Sequence, residues 1–206
     1  GKVPAQYQLS RVEIAKLRLA ERTKEAAEKA VALLEQCLEY PHHLGEGKLQ
    51  GAQENDFYYF LGEAYDILGD REKARDCWEK ATEGPQEAAA MYYNDAEPDK
   101  IFYQGLALQR LGRTGEANGR FYKLLNYGKQ HVFDNVVMDY FAVSLPDLQI
   151  WEGDLNLANE IHCKYMLALG YPGLGDRKAA QKYLDAARKL DINHLGILAL
   201  STFMAQ

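Results

Sequence analysis

The sequence predicts an all-α fold, a right-handed solenoid of helical hairpins interrupted by irregular inserts. Three observations point there. Six prolines in 206 residues leave long helix-forming stretches between them. No alternation of apolar and polar residues lasts long enough to suggest a sheet. One spacing of small and large residues occurs three times. A hydrophobic share of 47% with 26% charged residues is ordinary for a folded chain, and the length suits one domain or one short solenoid with a sizeable core.

Residues 11–40 read as one or two amphipathic helices rich in Ala, Leu, Glu and Lys, stopped at Pro41. A polar loop follows, HHLGEGKLQGAQEN, and at its end Asn55 or Asp56 is expected to cap the next helix. The first repeat, 55–86, contains DFYYFLGEAYDILGDREKARDCWEKA. It places small Gly62, Ala74 and Ala81 where two antiparallel helices must touch, with Tyr58, Leu61, Tyr65 and Trp78 filling the space around them. Gly69 and Asp70 form the turn between the helices.

A second repeat, 98–130, offers Ile101, Gly105, Leu108, Gly112, Ala117, Phe121 and Leu124 at the same offsets. The third, 157–192, offers Leu167, Ala168, Tyr171, Gly175, Ala180, Leu184 and Ala187. The turns at Gly69, Gly112 and Gly175 lie farther apart than tandem units of roughly 34 residues require. The excess falls in two inserts, one around EGPQEAAAMYYNDAEPD and one at 131–156 that holds a short extra helix and a break at Pro146. Inserts of this kind decorate one face of a solenoid, often the binding one. The last segment, 193–206, reads as a final helix. Its Leu195, Ile197, Leu198, Leu200, Phe203 and Met204 surround it with apolar surface, so it is expected to pack on a second copy, another domain or a returning part of the chain.

The repeated spacing resembles the tetratricopeptide (TPR) unit. In TPR folds the first helix of each pair lines a concave groove, and the resemblance therefore assigns groove positions. These are Asp56, Tyr59, Glu63 and Asp66 from the first repeat, Asp99, Phe102 and Arg110 from the second, and His162 and Tyr165 from the third. Tyrosines, an arginine and carboxylates suit a recognition surface, because aromatic rings supply contact area with a polar tip. In the first insert, Tyr92, Tyr93, Asn94 and Asp95 can lean over the groove and bind a polar ligand such as a sugar, or cap a turn and pack. Both readings stay open at this point.

The phrases LGEGKLQGAQENDFYYFLGEAY, MYYNDAEPDKIFYQGLALQRLG, DYFAVSLPDL and IHCKYMLALGYPGLGD also resemble the C-terminal TPR region of an uncharacterised bacterial family. In that family the repeats follow a β-rich portion similar to sugar-mutarotase domains, which implies a carbohydrate-related context. Pro172 departs from the pattern and is expected to end or kink its helix near Tyr171. Tyr59 and Glu63 stand where carboxylate-clamping TPR domains use Lys, Arg and Asn, which argues against that subclass.

Other function classes are disfavoured. A net charge of -6 and a pI near 5.4 give no general attraction to nucleic acid or anionic membrane. No apolar stretch is long enough to span a bilayer. Cys37, Cys77 and Cys163 are far apart and odd in number, which suits a reducing, cytoplasmic setting. His162 and Cys163 are helix neighbours pointing about a third of a turn apart, so they make no nucleophile–base pair. His42, His43 and Glu46 share a loop without a zinc pattern, GYPGLGD joins two helices rather than a strand and a helix, and no spacing pairs two carboxylates. The expectation is a non-catalytic scaffold without metal or cofactor. Its partner would be a protein or peptide, including an N-terminal β domain of its own. Two alternatives are residues shared with a carbohydrate site in that domain, and homodimerisation through the apolar final helix. The opening GKVPAQYQLSR has no apolar signal core and reads as the start of a piece of a longer chain.

Overall fold

The computed structural model describes residues 2–45, 47–48, 50–91, 97–137 and 154–205. Among them the regular structure is helical: α1 (Lys2–Ala20), α2 (Lys24–Leu38), α3 (Asn55–Leu68), α4 (Arg71–Ala81), α5 (Pro98–Arg110), α6 (Thr114–His131), α7 (Leu155–Gly173), α8 (Arg177–Leu190) and α9 (Leu195–Ala205), with a 3-10 turn at His42–Leu44. Of the insert read at 131–156, residues 138–153, with the break at Pro146, lie outside the described residues.

α1 begins well before residue 11. Pro4 sits in its first turn, where a missing N–H costs nothing, and the polar opening sequence shows no apolar period to reveal the helix. α7 runs one residue past Pro172 and ends at Gly173, so the proline closes the helix in its last turn.

The hairpins close by a recurring turn. Gly69 takes φ +86°, which an L side chain adopts only with strain, and Asp70 donates its N–H back to the Tyr65 carbonyl at 2.9 Å. The same bond runs from Arg113 to Leu108 at 2.8 Å and from Asp176 to Tyr171 at 3.1 Å. Asp70 and Asp176 then cap the following helices, accepting from the N–H of Lys73 and Ala179. The first hairpin lacks a glycine and turns on Arg22 at φ +57°.

Within a pair, helices approach through small residues. A Cβ on Gly62 would overlap the Trp78 indole, and one on Gly105 would overlap the Phe121 ring. Phe121 is fully buried between Gly105 and Gly173, and Ala74, Ala117, Ala168, Ala180 and Ala187 have no exposed surface. Successive pairs stack so that α1, α3, α5 and α7 pack side by side, while α9 turns back onto α7 and α8. Ile197 and Leu200 of α9 are buried, Phe203 lies edge-on to Phe102 at 5.7 Å, and Leu195 and Leu198 remain exposed. The final helix therefore buries much of its apolar surface on its own chain.

Candidate functional site

The row of α1, α3, α5 and α7, with α9 and the 82–91 loop along its edges, borders an open cavity of about 740 Å³. Its wall begins at the first turns of α3 and α5. Asn55 donates to the Ala81 and Glu83 carbonyls at 2.9 and 2.7 Å, fixing the start of α3 to the end of α4. Asp56, next in sequence, turns inward and meets the Lys100 ammonium at 2.6 Å. Neither residue caps the helix as the sequence suggested. Glu54 holds the cap position without a side-chain bond, because Asn55 and Asp56 are drawn into contacts 26 and 44 residues away.

Lys100 is held from several sides. Asp56 is at hydrogen-bond distance, the Asp99 carboxylate lies at 3.7 Å, and the Phe57 ring centroid lies at 5.2 Å. Burial alone would lower the Lys100 pKa, but Asp56 and then Asp99 outweigh it and hold the ammonium above its ordinary value. Burial raises the Asp99 carboxyl pKa, with Lys100 opposing and Asp56 adding to the rise. The Glu97 carboxyl is pushed up by burial and then by Asp99. Spacing gave no reason to group carboxylates, yet the fold gathers Asp56, Glu97 and Asp99 around one ammonium.

Two tyrosines line the same cavity. Tyr103 and Tyr165 are 8% and 7% exposed, both line the cavity, and their hydroxyls have no hydrogen-bond partner among the described residues. Burial, followed by the nearby carboxylates, raises both phenol pKa values well above normal, so they stand as neutral donor–acceptors. His194 lies against Tyr165 at 5.0 Å between ring centroids, and its Nδ1 accepts from the Ile197 N–H at 3.2 Å, so it caps α9. His162 has Nε2 2.9 Å from the Ala89 carbonyl oxygen. Since that oxygen only accepts, Nε2 carries the proton. Burial lowers both histidine pKa values and favours the neutral rings.

The 82–91 loop is set by Gln104. This fully buried side chain donates to the Glu83 and Pro85 carbonyls at 3.1 and 2.8 Å and accepts from Arg120 Nε at 3.0 Å. Ala89, Ala90 and Met91 are thereby placed on the cavity wall.

The sequence-predicted positions divide. Asp56, Asp99, Phe102, His162 and Tyr165 share this cavity, although Phe102 is only 1% exposed and its ring packs on Tyr103 and Phe203. Tyr59 and Glu63 line a second recess of about 360 Å³ with Arg22 and Phe203. Arg110 closes on Glu63 in an ion pair beside the Trp78 ring. Burial raises the Glu63 pKa against the pull of Arg110. Asp66 is exposed on α3, and Tyr92, Tyr93, Asn94 and Asp95 lie outside the described residues. The counting missed Lys16, Glu97, Lys100, Tyr103 and His194. Tyr103 was within reach, because it follows Asp99 by four residues and so shares its helix face.

The His162–Cys163 neighbours diverge as expected. Cys163 donates its thiol toward Asn159 at 3.7 Å, and burial pushes that thiol up to about 12, far from a reactive thiolate. Among the described residues no group of three or more His, Cys, Asp or Glu is placed to hold a metal, and no helix is long and apolar enough to cross a membrane. No protein-family model matches this chain, and no solved structure matches it significantly.

Proposed function

We propose that the chain is a TPR-type repeat, a right-handed solenoid with inserts, that works as a non-catalytic binding module for a protein or peptide partner. The helical hairpins, the recurring glycine turn and the small-to-large contacts of Gly62 with Trp78 and Gly105 with Phe121 support the repeat. The resemblance noted above is what supports a carbohydrate-related bacterial setting.

One observation carries the binding role. The Tyr103 and Tyr165 side chains are more than nine-tenths buried, and their hydroxyls open without a protein partner among the described residues onto a cavity whose carboxylates are incompletely neutralised. Hydroxyls that open on a cavity without a protein partner are available to a ligand's polar groups. A cavity of about 740 Å³ accepts a side chain or a short extended segment. The partner is therefore met as a short linear segment.

A peptide array spanning all residue types, probed with the purified chain and with Ala199→Trp, tests this. Ala199 lines the cavity from α9, so the indole fills it. A defined subset of peptides should bind the parent chain and be lost with Ala199→Trp at unchanged helicity. Peptide binding that ignores the filled cavity, or none at all, would overturn the reading.

A further inference from the structure

We propose that the cavity takes an organic cation, an alkylammonium or guanidinium group, seated between the carboxylates of Glu97 and Asp99 and the hydroxyls of Tyr103 and Tyr165. The inference rests on the cavity being a binding site and names the class of ligand.

Charge is the first ground. Both lysines that line the cavity are engaged. Lys16 reaches Glu13 at 2.7 Å and the Ala199 carbonyl at 3.4 Å, and Lys100 reaches Asp56 at 2.6 Å. Asp99 has only a share of Lys100 at 3.7 Å, and Glu97 has no ion-pair partner among the described residues. The two histidines are held neutral by burial and add no positive charge. The lining is therefore short of cations, and an anionic guest would meet like charge.

Hydrogen-bond chemistry is the second and independent ground. The Tyr103 and Tyr165 oxygens each present lone pairs to the cavity and have no protein donor among the described residues. An ammonium brings three N–H donors and a guanidinium five, enough to meet two carboxylates and a phenol together. A neutral polyol can satisfy the hydroxyls but leaves the carboxylate charge uncompensated.

The aromatic wall is the third. Phe57 and Phe60 already face the Lys100 and Lys16 ammonium groups at 5.2 and 5.9 Å, so this surface accommodates cations over its rings. Alkyl stems of a lysine, arginine or diamine would lie along it.

Calorimetric titration of the whole chain tests the idea, with 1,5-diaminopentane and agmatine as probes and 1,5-pentanediol as the neutral control of similar shape. Acetyl-Ala-Lys-Ala-amide forms a further arm. The cations should bind, weaken as salt rises, and lose about tenfold or more in affinity with Glu97→Gln or Asp99→Asn. Glu97 precedes α5 and makes no ion pair among the described residues, so its variant stays informative if Asp99→Asn unfolds. Tighter binding of the peptide than of the free diamine identifies a partner's side chain as the source, and the reverse order a free polyamine; either supports the proposal. Equal binding of the diol, or cation binding indifferent to both variants, overturns it. Peptides without Lys or Arg that bind the parent chain and not Ala199→Trp would also overturn it while leaving the binding-site reading standing. Absence of any cavity-dependent binder removes both.

Discussion

The Asp56 carboxylate and the Lys100 ammonium meet at 2.6 Å across a sequence distance of 44 residues, both nearly buried, and so join the first turn of α3 to that of α5. Replacing Lys100 by Met leaves a buried carboxylate unpaired and should cost about 3–5 kcal/mol. The double variant Asp56→Asn, Lys100→Met should recover most of that loss. Urea unfolding of the four chains in the mutant cycle checks it, and a double variant as unstable as Lys100→Met would show the pair to be irrelevant.

Gly62→Ala and Gly105→Ala should each destabilise the chain. Helix propensity improves by about 1 kcal/mol, but the added methyl overlaps Trp78 or Phe121, and overpacking costs about 1–3 kcal/mol. The net expectation is a loss of up to about 2 kcal/mol at each site by denaturant midpoint. Gly115→Ala, with open space around its Cβ position, should instead be neutral or stabilising.

Glu97 and Asp99 hold their protons more tightly folded than unfolded, because burial raises both pKa values from 4.5 and 3.8. Their favourable contribution is full below about pH 4 and is lost as pH rises through the raised folded values. The double variant Glu97→Gln, Asp99→Asn lacks that loss. Its stability relative to the parent should climb between pH 4 and pH 7 in urea titrations, and an unchanged difference across that window would contradict the assignment.

Phe203 docks α9 by resting against Phe102 and Tyr103 at 5.7 and 6.3 Å. Phe203→Ala should cost about 2 kcal/mol, a reduced core value because the ring is half-buried. The loss should show first as faster amide exchange in α9, with α3 and α5 less affected.

What the sequence made legible follows from range. Turns at Gly69, Gly112 and Gly175, and the pairing of Gly62 with Trp78, are encoded within a single hairpin, so spacing reveals them. The turn at Arg22 escaped because a non-glycine residue takes the left-handed conformation there. The Asp56–Lys100 pair and the contact of Phe203 with Phe102 arise only when hairpins stack and the chain returns. Offsets alone also select Phe102, which is buried in the core, over its neighbour Tyr103, whose hydroxyl is the unpaired one. One residue is 100° of helix, and counting cannot settle that without knowing how the pairs lean.

We propose that this cavity, rather than an outer helix face, receives the partner. Backbone amide shifts followed by NMR during titration with acetyl-Ala-Lys-Ala-amide test it most directly. Perturbations are expected at Asp99, Tyr103, Tyr165 and His194 and should disappear in Ala199→Trp. Shifts concentrated on α2, α4, α6 or α8, or spread evenly over the chain, would contradict it.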